Sequence, residues 1–174
     1  MILETGRLVL RPMAMEDAPA LFAILGDPEA MRFWDRAALP RVTTVEAQIE
    51  GELAAMAAGG FFYWTVLKDG NAIGSIDLSH IDGMDAWTGF AFRRDHWGKG
   101  FAREAMAAIA GHAFGPLRLI GLMARVQIAN RPATRLLQSL GFQERGPLPE
   151  ISRDGETRAC VRYRLDKSIS PNGT

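Results

Sequence analysis

The sequence predicts a single α/β domain, and three observations carry this prediction. Its 174 residues suit one domain, and 48% of them are hydrophobic, as in ordinary globular proteins. Segments in which apolar and polar residues alternate, which indicates strands, are interspersed with segments whose apolar residues recur at helical spacing. No internal repeat, linker or low-complexity block divides the chain. Together these observations predict strands and helices packed in layers around one core.

The first half of the chain is predicted to contain four strands and two helices. Gly26 ends the first helix, and residues 27–42 show no clear period. Thr43 and Glu46 have the spacing of a capping box, in which each side chain bonds the other residue's backbone N–H, so a second helix is predicted there. In order, the predicted elements are a strand at 7–12, helices at 16–25 and 43–58, and strands at 61–68, 72–80 and 87–93.

The second half is predicted to contain two helices, at 100–114 and 131–140, and three strands, at 119–128, from 142 onward and at 158–165. Gly141 is predicted to cap the second of these helices. In the strand at 119–128, one face is predicted to hold Leu122, Ala124, Val126 and Ile128. In the helix at 131–140, the predicted buried residues are Leu136, Leu137 and Leu140. The domain is expected to span residues 1–167, followed by a flexible tail at 168–174.

Charge and cysteine content restrict the possible partners and the compartment. The chain carries 20 basic and 20 acidic residues, and this balance argues against nucleic acid or a membrane surface as the main partner. Cys160 is the only cysteine, so no disulfide can form within the chain, which suits a reducing compartment. The first residues lack the basic region and apolar run of a secretory signal. The expected location is therefore the cytoplasm.

The turn from Trp97 to Ala102 indicates a phosphate-binding site, because it opens a helix directly after a strand. A helix N-terminus presents unpaired N–H groups to an anion, and glycines at 98 and 100 would let the backbone approach it closely. Glycines at this place could also simply form a tight turn. A P-loop would need Ser or Thr after Lys99, and a dinucleotide-binding turn would need a small residue at Arg103. A coenzyme A cradle remains as the third class.

Three segments resemble the GNAT acetyltransferases, in particular the branch of ribosomal-protein N-terminal acetyltransferases. Residues 97–102, Trp-Gly-Lys-Gly-Phe-Ala, are similar to the family's coenzyme A motif, with Trp97 where many members have Arg or Gln. Residues 130–142, from Asn130 to the Leu-Gly-Phe at 140–142, resemble the branch's second motif. Residues 5–11 resemble its first strand. The resemblance covers residues 5 to about 165 in order and spacing.

The resemblance implies a GNAT fold, with a mixed sheet of six to seven strands, helices on both faces and a splayed central strand pair. It also implies that acetyl-CoA is the co-substrate. The main chain of the strand before the turn would hold the pantetheine arm, and the turn would hold the pyrophosphate. The implied coenzyme A-binding residues are Phe90, Ala91, Phe92, Trp97, Gly98, Lys99, Gly100, Phe101, Ala102, Asn130 and Arg135. For Arg135, a solvated position is the alternative.

The candidates for proton transfer lie outside the turn at 97–102. Family members often carry a Glu at the start of the strand before the turn, where this chain has Ala86. Asp77 is the main candidate for proton transfer or substrate binding and could otherwise face water; Asp85 is the second. Asn130 is a catalytic and coenzyme A-binding candidate, and it could equally serve as a plain helix N-cap. Some relatives have Ser at the position of Ala133, so that proton donor is absent.

The remaining reactive side chains suggest no other chemistry. Direct transfer makes a nucleophile at Cys160 unnecessary, and nothing in the sequence lowers the pKa of its thiol. His80, His96 and His112 lack the spacing of metal ligands, so no metal is expected. His96 is expected to face solvent. Phe33 and Trp34 pack over the core or line a substrate cleft.

The predicted function is therefore acetyl-CoA-dependent N-acetylation of a primary amine, either a peptide N-terminus or a small amine, in a ternary complex. The alternative is a regulatory domain of the same fold that binds acyl-CoA without catalysis. Homodimers are common in the family that the chain resembles. The acceptor amine carries no recognisable code in the sequence, because residues 27–60 and 82–86, which would contact it, have no motif.

Overall fold

The computed structural model describes residues 1–167, so the predicted tail at 168–174 lies outside the described residues. Over residues 1–167 the chain forms eight strands and four α-helices. The strands are β1 (Leu3–Glu4), β2 (Val9–Pro12), β3 (Phe62–Lys68), β4 (Asn71–Asp82), β5 (Asp85–Phe92), β6 (Gly121–Gln127), β7 (Gln143–Arg153) and β8 (Glu156–Asp166). The helices are α1 (Ala18–Leu25), α2 (Val42–Ala58), α3 (Phe101–Phe114) and α4 (Arg131–Ser139).

All of these strands belong to one mixed sheet. Its order is β1-β2-β3-β4-β5-β6-β8-β7. Neighbouring strands are antiparallel except β5 and β6, which run parallel because helix α3 carries the chain from the end of β5 back to the start of β6. The predicted α/β fold class is confirmed. The described sheet has eight strands where the resemblance implied six or seven, and one of the eight is the two-residue strand β1.

Helices cover both faces of the sheet, as predicted. On one face, α3 and α4 bury a core that includes Leu10, Val66, Met106 and Leu122. On the other face, α1 and α2 pack over a smaller core centred on Leu21. Strand β3 contributes to both cores, because successive side chains of a strand point to opposite faces.

The central parallel pair separates along its length. Strands β5 and β6 pair only where Asp85, Ala86 and Trp87 lie beside residues 121–123. Beyond Trp87 the two strands diverge, although β5 continues to Phe92 and β6 to Gln127. The splayed central pair is thus confirmed, and the gap between these strands opens toward the N-terminus of α3.

The predicted capping box at Thr43 is wrong. Helix α2 already begins at Val42, its N-cap residue is Arg41, and that residue makes no side-chain capping bond. Thr43 therefore has helical backbone angles inside the first turn, whereas a capping residue must lie outside the helix. The extended backbone of Arg41 sets the start of the helix one residue before the predicted first helical position.

Three residues predicted to lie in the core are more exposed than expected. Strand β6 ends at Gln127, so its alternation does not reach Ile128, which is 49% exposed. In α4 only Leu137 is fully buried. Leu136 lines a cleft beside the gap and Leu140 lies at the C-cap, and both are half-buried. Gly141 follows the cap with a φ of 90°, the left-handed region that favours glycine.

Candidate active site

The glycine-rich turn forms a cradle at the N-terminus of α3. Gly100 is the N-cap residue of this helix, with a φ of 80°, and Gly98 has a φ of 72°. Both values lie in the left-handed region, which glycine adopts at no steric cost. The first N–H groups of α3 have no partners within the helix and carry partial positive charge. The turn therefore has the geometry of an anion-binding site.

Side chains from two directions hold the cradle in place. The indole N–H of Trp97 donates to the backbone carbonyl of Phe92 at 2.8 Å, which ties the turn to the end of β5. The Arg7 guanidinium donates to the Lys99 carbonyl at 3.0 Å and also pairs with Glu104 in the first turn of α3. The positions of the turn and of the helix start are thus fixed by packing and hydrogen bonds.

Backbone groups of β5 face the gap between the splayed strands. The Arg93 N–H donates to the Ile73 carbonyl at 2.9 Å, which fixes the alternation of hydrogen bonds between β4 and β5. By this alternation, Ala91 bonds to β4, whereas the N–H and C=O groups of Phe90 and Phe92 point toward β6. The main chain of Ala91 is thus paired with β4, and its contact with coenzyme A stays a prediction. Ala91 is nearly buried in the wall of the cleft.

A single continuous cleft joins the cradle to the opposite face of the sheet. Its volume is about 1090 Å³, and it runs from the turn through the gap to Asp77. Trp87 and the aromatic pair Phe33 and Trp34 line the end distant from the cradle. Phe33 and Trp34 were predicted either to pack over the core or to line a cleft. Both line the cleft, and Trp34 also packs against the smaller core. The volume of the cleft is at the upper limit of the usual range for ligand sites, about 300–1,000 Å³.

Asp77 lies in this cleft opposite the splayed strand. It is the cross-strand partner of Gly89 in β5, and its carboxylate occupies the space that a side chain at 89 would fill, with Oδ1 2.8 Å from an idealised Cβ. Burial raises the pKa of Asp77 to about 7, although the Ser79 hydroxyl and the Gly89 N–H oppose that rise. The carboxyl group can therefore gain or lose a proton near neutral pH.

Two further polar residues near Asp77 escaped the sequence analysis. Tyr63 is the cross-strand partner of Asp77 in β3, and burial together with the charge of Asp77 raises its pKa to about 12. Glu52 of α2 bonds Gln48, and burial raises the pKa of its carboxyl group. The alternation in β3 could have placed Tyr63 on this face. Glu52 carried no such signal, because the tilt of α2 over the sheet is not encoded locally.

Asp85 does not belong to the cleft. Its two carboxylate oxygens accept bonds of 2.7 and 2.8 Å from Arg164 of β8, at the end where β5 and β6 are still paired. An idealised Cβ on Gly121 would lie 2.4 Å from Asp85 Oδ1 and 2.2 Å from the Arg164 guanidinium, so a side chain at 121 would displace this ion pair. Asp85 thus forms a structural ion pair, and the interpretation of this residue as a catalytic candidate is wrong.

The second motif lines the other wall of the cleft. Asn130 is the N-cap of α4, where its side-chain oxygen accepts from the Ala133 N–H at 3.2 Å. Asn130, Ala133 and Arg135 all line the cleft, so the capping role of Asn130 does not remove it from the site. Arg103 bridges the start of α3 to Ser139 at the end of α4.

A family model described as the acetyltransferase (GNAT) domain matches residues 7–143. The chain belongs to the GNAT acetyltransferase family. It is 32% identical over 155 residues to the uncharacterized N-acetyltransferase p20 of Bacillus licheniformis, with 87% of each chain covered.

Two solved structures share the GNAT fold with this chain. The first is Mycobacterium smegmatis RimJ in complex with CoA-disulfide, with a TM-score of 0.86 and 24% identity over 99% of this chain and 88% of the other. The second is spermidine N-acetyltransferase from Vibrio cholerae in complex with CoA and spermine. Its TM-score is 0.82, with 21% identity over 93% of this chain and 96% of the other.

The remaining reactive groups of this GNAT domain suggest no second chemistry. Cys160 lines the cleft but is buried, and this burial raises the pKa of its thiol, which disfavours the reactive thiolate. His96 does not face solvent as expected, because its ring is only 20% exposed and bonds Asp95. Within residues 1–167, no three His, Cys, Asp or Glu side chains cluster as metal ligands, and none of the helices is long and apolar enough to span a membrane.

Proposed function

We propose that this protein transfers an acetyl group from acetyl-CoA directly to a primary amine. The observation that carries the proposal is the continuous cleft. At one end it has a helix N-terminus with two glycines of positive φ, and at the other end a carboxyl group whose pKa is about 7. The first end suits a pyrophosphate, and the second suits an amine that must lose a proton.

The donor site is assigned to main-chain groups. The N–H groups at 98–102 would hold the pyrophosphate, and the gap-facing backbone of Phe90 and Phe92 would bond the pantetheine arm. Acetyl-CoA supplies an acyl thioester, which is an activated electrophile. The Trp97 indole keeps the Phe92 carbonyl engaged at 2.8 Å, so the Phe92 N–H is the group we assign to the thioester oxygen. Asn130 and Arg135 line the opposite wall and would contact coenzyme A there.

Asp77 is assigned the proton transfer. An amine is protonated at neutral pH, and its nitrogen can attack only after it loses that proton. With a pKa of about 7, the ionised Asp77 carboxylate can accept the proton, directly or through one water. The nitrogen then bonds the carbonyl carbon, and the Phe92 N–H stabilises the oxyanion. The C–S bond breaks, and the sulfur takes up the second proton that the nitrogen gives up, so coenzyme A leaves as the thiol.

The acceptor class is assigned more broadly than the donor. RimL, another solved structure of this fold, is named a ribosomal alpha-N-protein acetyltransferase, and the Vibrio cholerae neighbour is named a spermidine N-acetyltransferase, so we include both peptide N-termini and small amines. The aromatic side chains Phe33, Trp34 and Trp87 would contact the apolar part of the acceptor. The second candidate function is an acyl-CoA-binding regulator, which the alanine at 133 favours because it leaves no hydroxyl beside Asn130.

The proposed function is tested by measuring thiol release from acetyl-CoA with a panel of peptides, amino acids and polyamines. We expect at least one amine to support turnover, with mass spectrometry showing the N-acetyl product. The same compound already acetylated on its amine is the control and must give no turnover. Calorimetric binding of coenzyme A without turnover on any amine would contradict the enzymatic assignment and support the regulator.

A further inference from the structure

Three side chains from the C-terminal half of the chain bind backbone carbonyls of residues 31–34. The Arg153 guanidinium donates to the carbonyls of Met31 at 2.6 Å and Trp34 at 3.2 Å. Arg158 donates to the Arg32 carbonyl at 3.0 Å. The Gln127 side chain donates to the Phe33 carbonyl at 2.8 Å. Every carbonyl of this four-residue stretch is therefore engaged by a side chain distant in sequence.

We propose that Arg153, together with Arg158 and Gln127, is a positioning residue that sets the acceptor-binding wall of the cleft. These bonds fix residues 31–34, which carry Phe33 and Trp34 into the cleft. The proposal rests on the proposed function, since it assigns this end of the cleft to the acceptor amine. It adds residues that do not themselves touch the substrate.

Residues 27–41 need this external support. They form neither a regular helix nor a strand, and they connect α1 to α2 across the face of the sheet. A connection of this length is held in one conformation only where tertiary contacts fix it. The side chain of Met31, fully buried in the smaller core, provides one anchor, and an ion pair of 3.1 Å between Asp27 and Arg94 provides another. The side chains from the C-terminal half bind the carbonyls of residues 31–34, which lead from the buried Met31 to the cleft-lining Phe33 and Trp34.

The environment of Arg153 fits a structural role at the cleft rather than a surface charge. Its side chain is only 12% exposed although it lies beside the turn of the β7–β8 hairpin. Its Nε donates to Asp154 at 3.0 Å, and this ion pair offsets the cost of removing the guanidinium from water. Hydrogen bonds from a charged donor to carbonyls are stronger than neutral ones. Removing this group would therefore release the segment that carries Phe33 and Trp34.

The first test is kinetic and uses the panel amine with the highest wild-type turnover. We expect Arg153→Ala to raise KM for that amine about tenfold, with kcat and KM for acetyl-CoA changed less than about twofold. Arg153→Lys, which keeps a cationic donor, should restore most of the amine affinity. Arg145→Ala is the matched control, because Arg145 lies on the same strand and pairs with Asp166 instead. An unchanged amine KM, or equal losses for both substrates, overturns the proposal.

The second test does not depend on activity. Trypsin cleaves after arginine, and Arg32 and Arg36 both lie in the connection at 27–41. We expect cleavage at these two sites to be faster in Arg153→Ala and Gln127→Met than in wild type and Arg145→Ala, when the fragments are identified by mass spectrometry. Unchanged cleavage would overturn the proposed support even in an active enzyme. If wild type acetylates no amine but cleavage accelerates as expected, the proposed function fails while the support of residues 31–34 stands.

Discussion

At the scale of single residues, two aspartates eight positions apart have opposite roles. Asp77 opens to the cleft, and its pKa is raised to about 7, whereas Asp85 is paired through both oxygens with Arg164. Both are candidates from the sequence, with Asp77 preferred, but the ion-pair partner of Asp85 cannot be recognised there. That partner lies 79 residues away and becomes a neighbour only because β8 pairs with β6 next to β5. Local pattern carries no information about such a contact.

The role of Asp77 predicts a specific pH dependence. We expect kcat/KM of the wild type to fall below an apparent pKa near 7, because protonated Asp77 cannot accept a proton. Asp77→Asn should lower kcat/KM about 100-fold at pH 8 and abolish this acidic limb. The measurement is a pH profile from 5.5 to 9 with the best panel amine.

Asp85→Asn is the control for this profile. It removes the same charge from the strand next to Asp77, and we expect it to keep the acidic limb while losing thermal stability through the broken pair with Arg164. A limb of unchanged pKa in Asp77→Asn would show that another group controls the proton transfer.

At the scale of elements, glycines in and near α3 have different functions. Gly98 lies in the turn with a φ of 72°, whereas Gly111 lies inside the helix and has no atom within 4 Å of an added Cβ. Gly98→Ala should weaken coenzyme A binding at least tenfold and destabilise the fold by about 1 kcal/mol, since the left-handed region is strained for alanine. Gly111→Ala should stabilise the helix by about 0.5 to 1 kcal/mol and leave binding unchanged.

Calorimetry with coenzyme A and urea unfolding check this pair of variants. Equal affinities for coenzyme A in Gly98→Ala and Gly111→Ala would contradict the assignment of the turn as the pyrophosphate cradle. Loss of stability in Gly111→Ala would show that this face of α3 has a packing role that the structure does not indicate.

Elements built from local spacing could be predicted, and those set by distant contacts could not. The turn at 97–102 and the helix cap at Asn130 are formed by residues a few positions apart, so their spacing can be recognised in the sequence. The conformation of residues 31–34 could not be predicted, because it depends on side chains that follow 94 to 126 positions later in the chain. The predicted start of α2 was wrong because threonine is common at N-caps, whereas Thr43 itself lies inside the helix.

At the scale of the whole molecule, His112 predicts a loss of stability in acid. It is 5% exposed in α3, its ring makes T-shaped contacts with the rings of Phe62 and Trp64, and its Nδ1 has no hydrogen-bond partner among residues 1–167. Burial lowers its pKa, so the unfolded chain binds a proton more readily than the folded one. Stability is therefore lost as pH falls from the unfolded pKa of about 6.5 through the lowered folded pKa.

Urea unfolding of wild type and His112→Leu at pH 5 and pH 7.5 tests this prediction. Asp77 contributes with the opposite sign. Its pKa is raised to about 7 in the folded chain, so between the unfolded pKa and about 7 the folded chain binds a proton more readily, and a fall in pH stabilises the fold. That contribution is common to both proteins, so the difference between them isolates His112. We expect the variant to gain stability relative to wild type on going from pH 7.5 to pH 5. The same difference at both pH values would contradict the prediction.

The three-residue pairing of β5 and β6 joins two halves of the sheet, because β5 stays paired with β4 and β6 with β8 along their lengths. The pivot between the halves is the end held by Asp85 and Arg164, and β5 extends from it over Trp87 to Phe92, roughly 17 Å at the usual rise per residue. A rotation of about 5° at the pivot would displace the tip by about 1.5 Å, and a misplacement of about 1 Å can cost 100-fold in rate. Residues at the pivot can thus tune the chemistry from the far end of the sheet, where no substrate reaches.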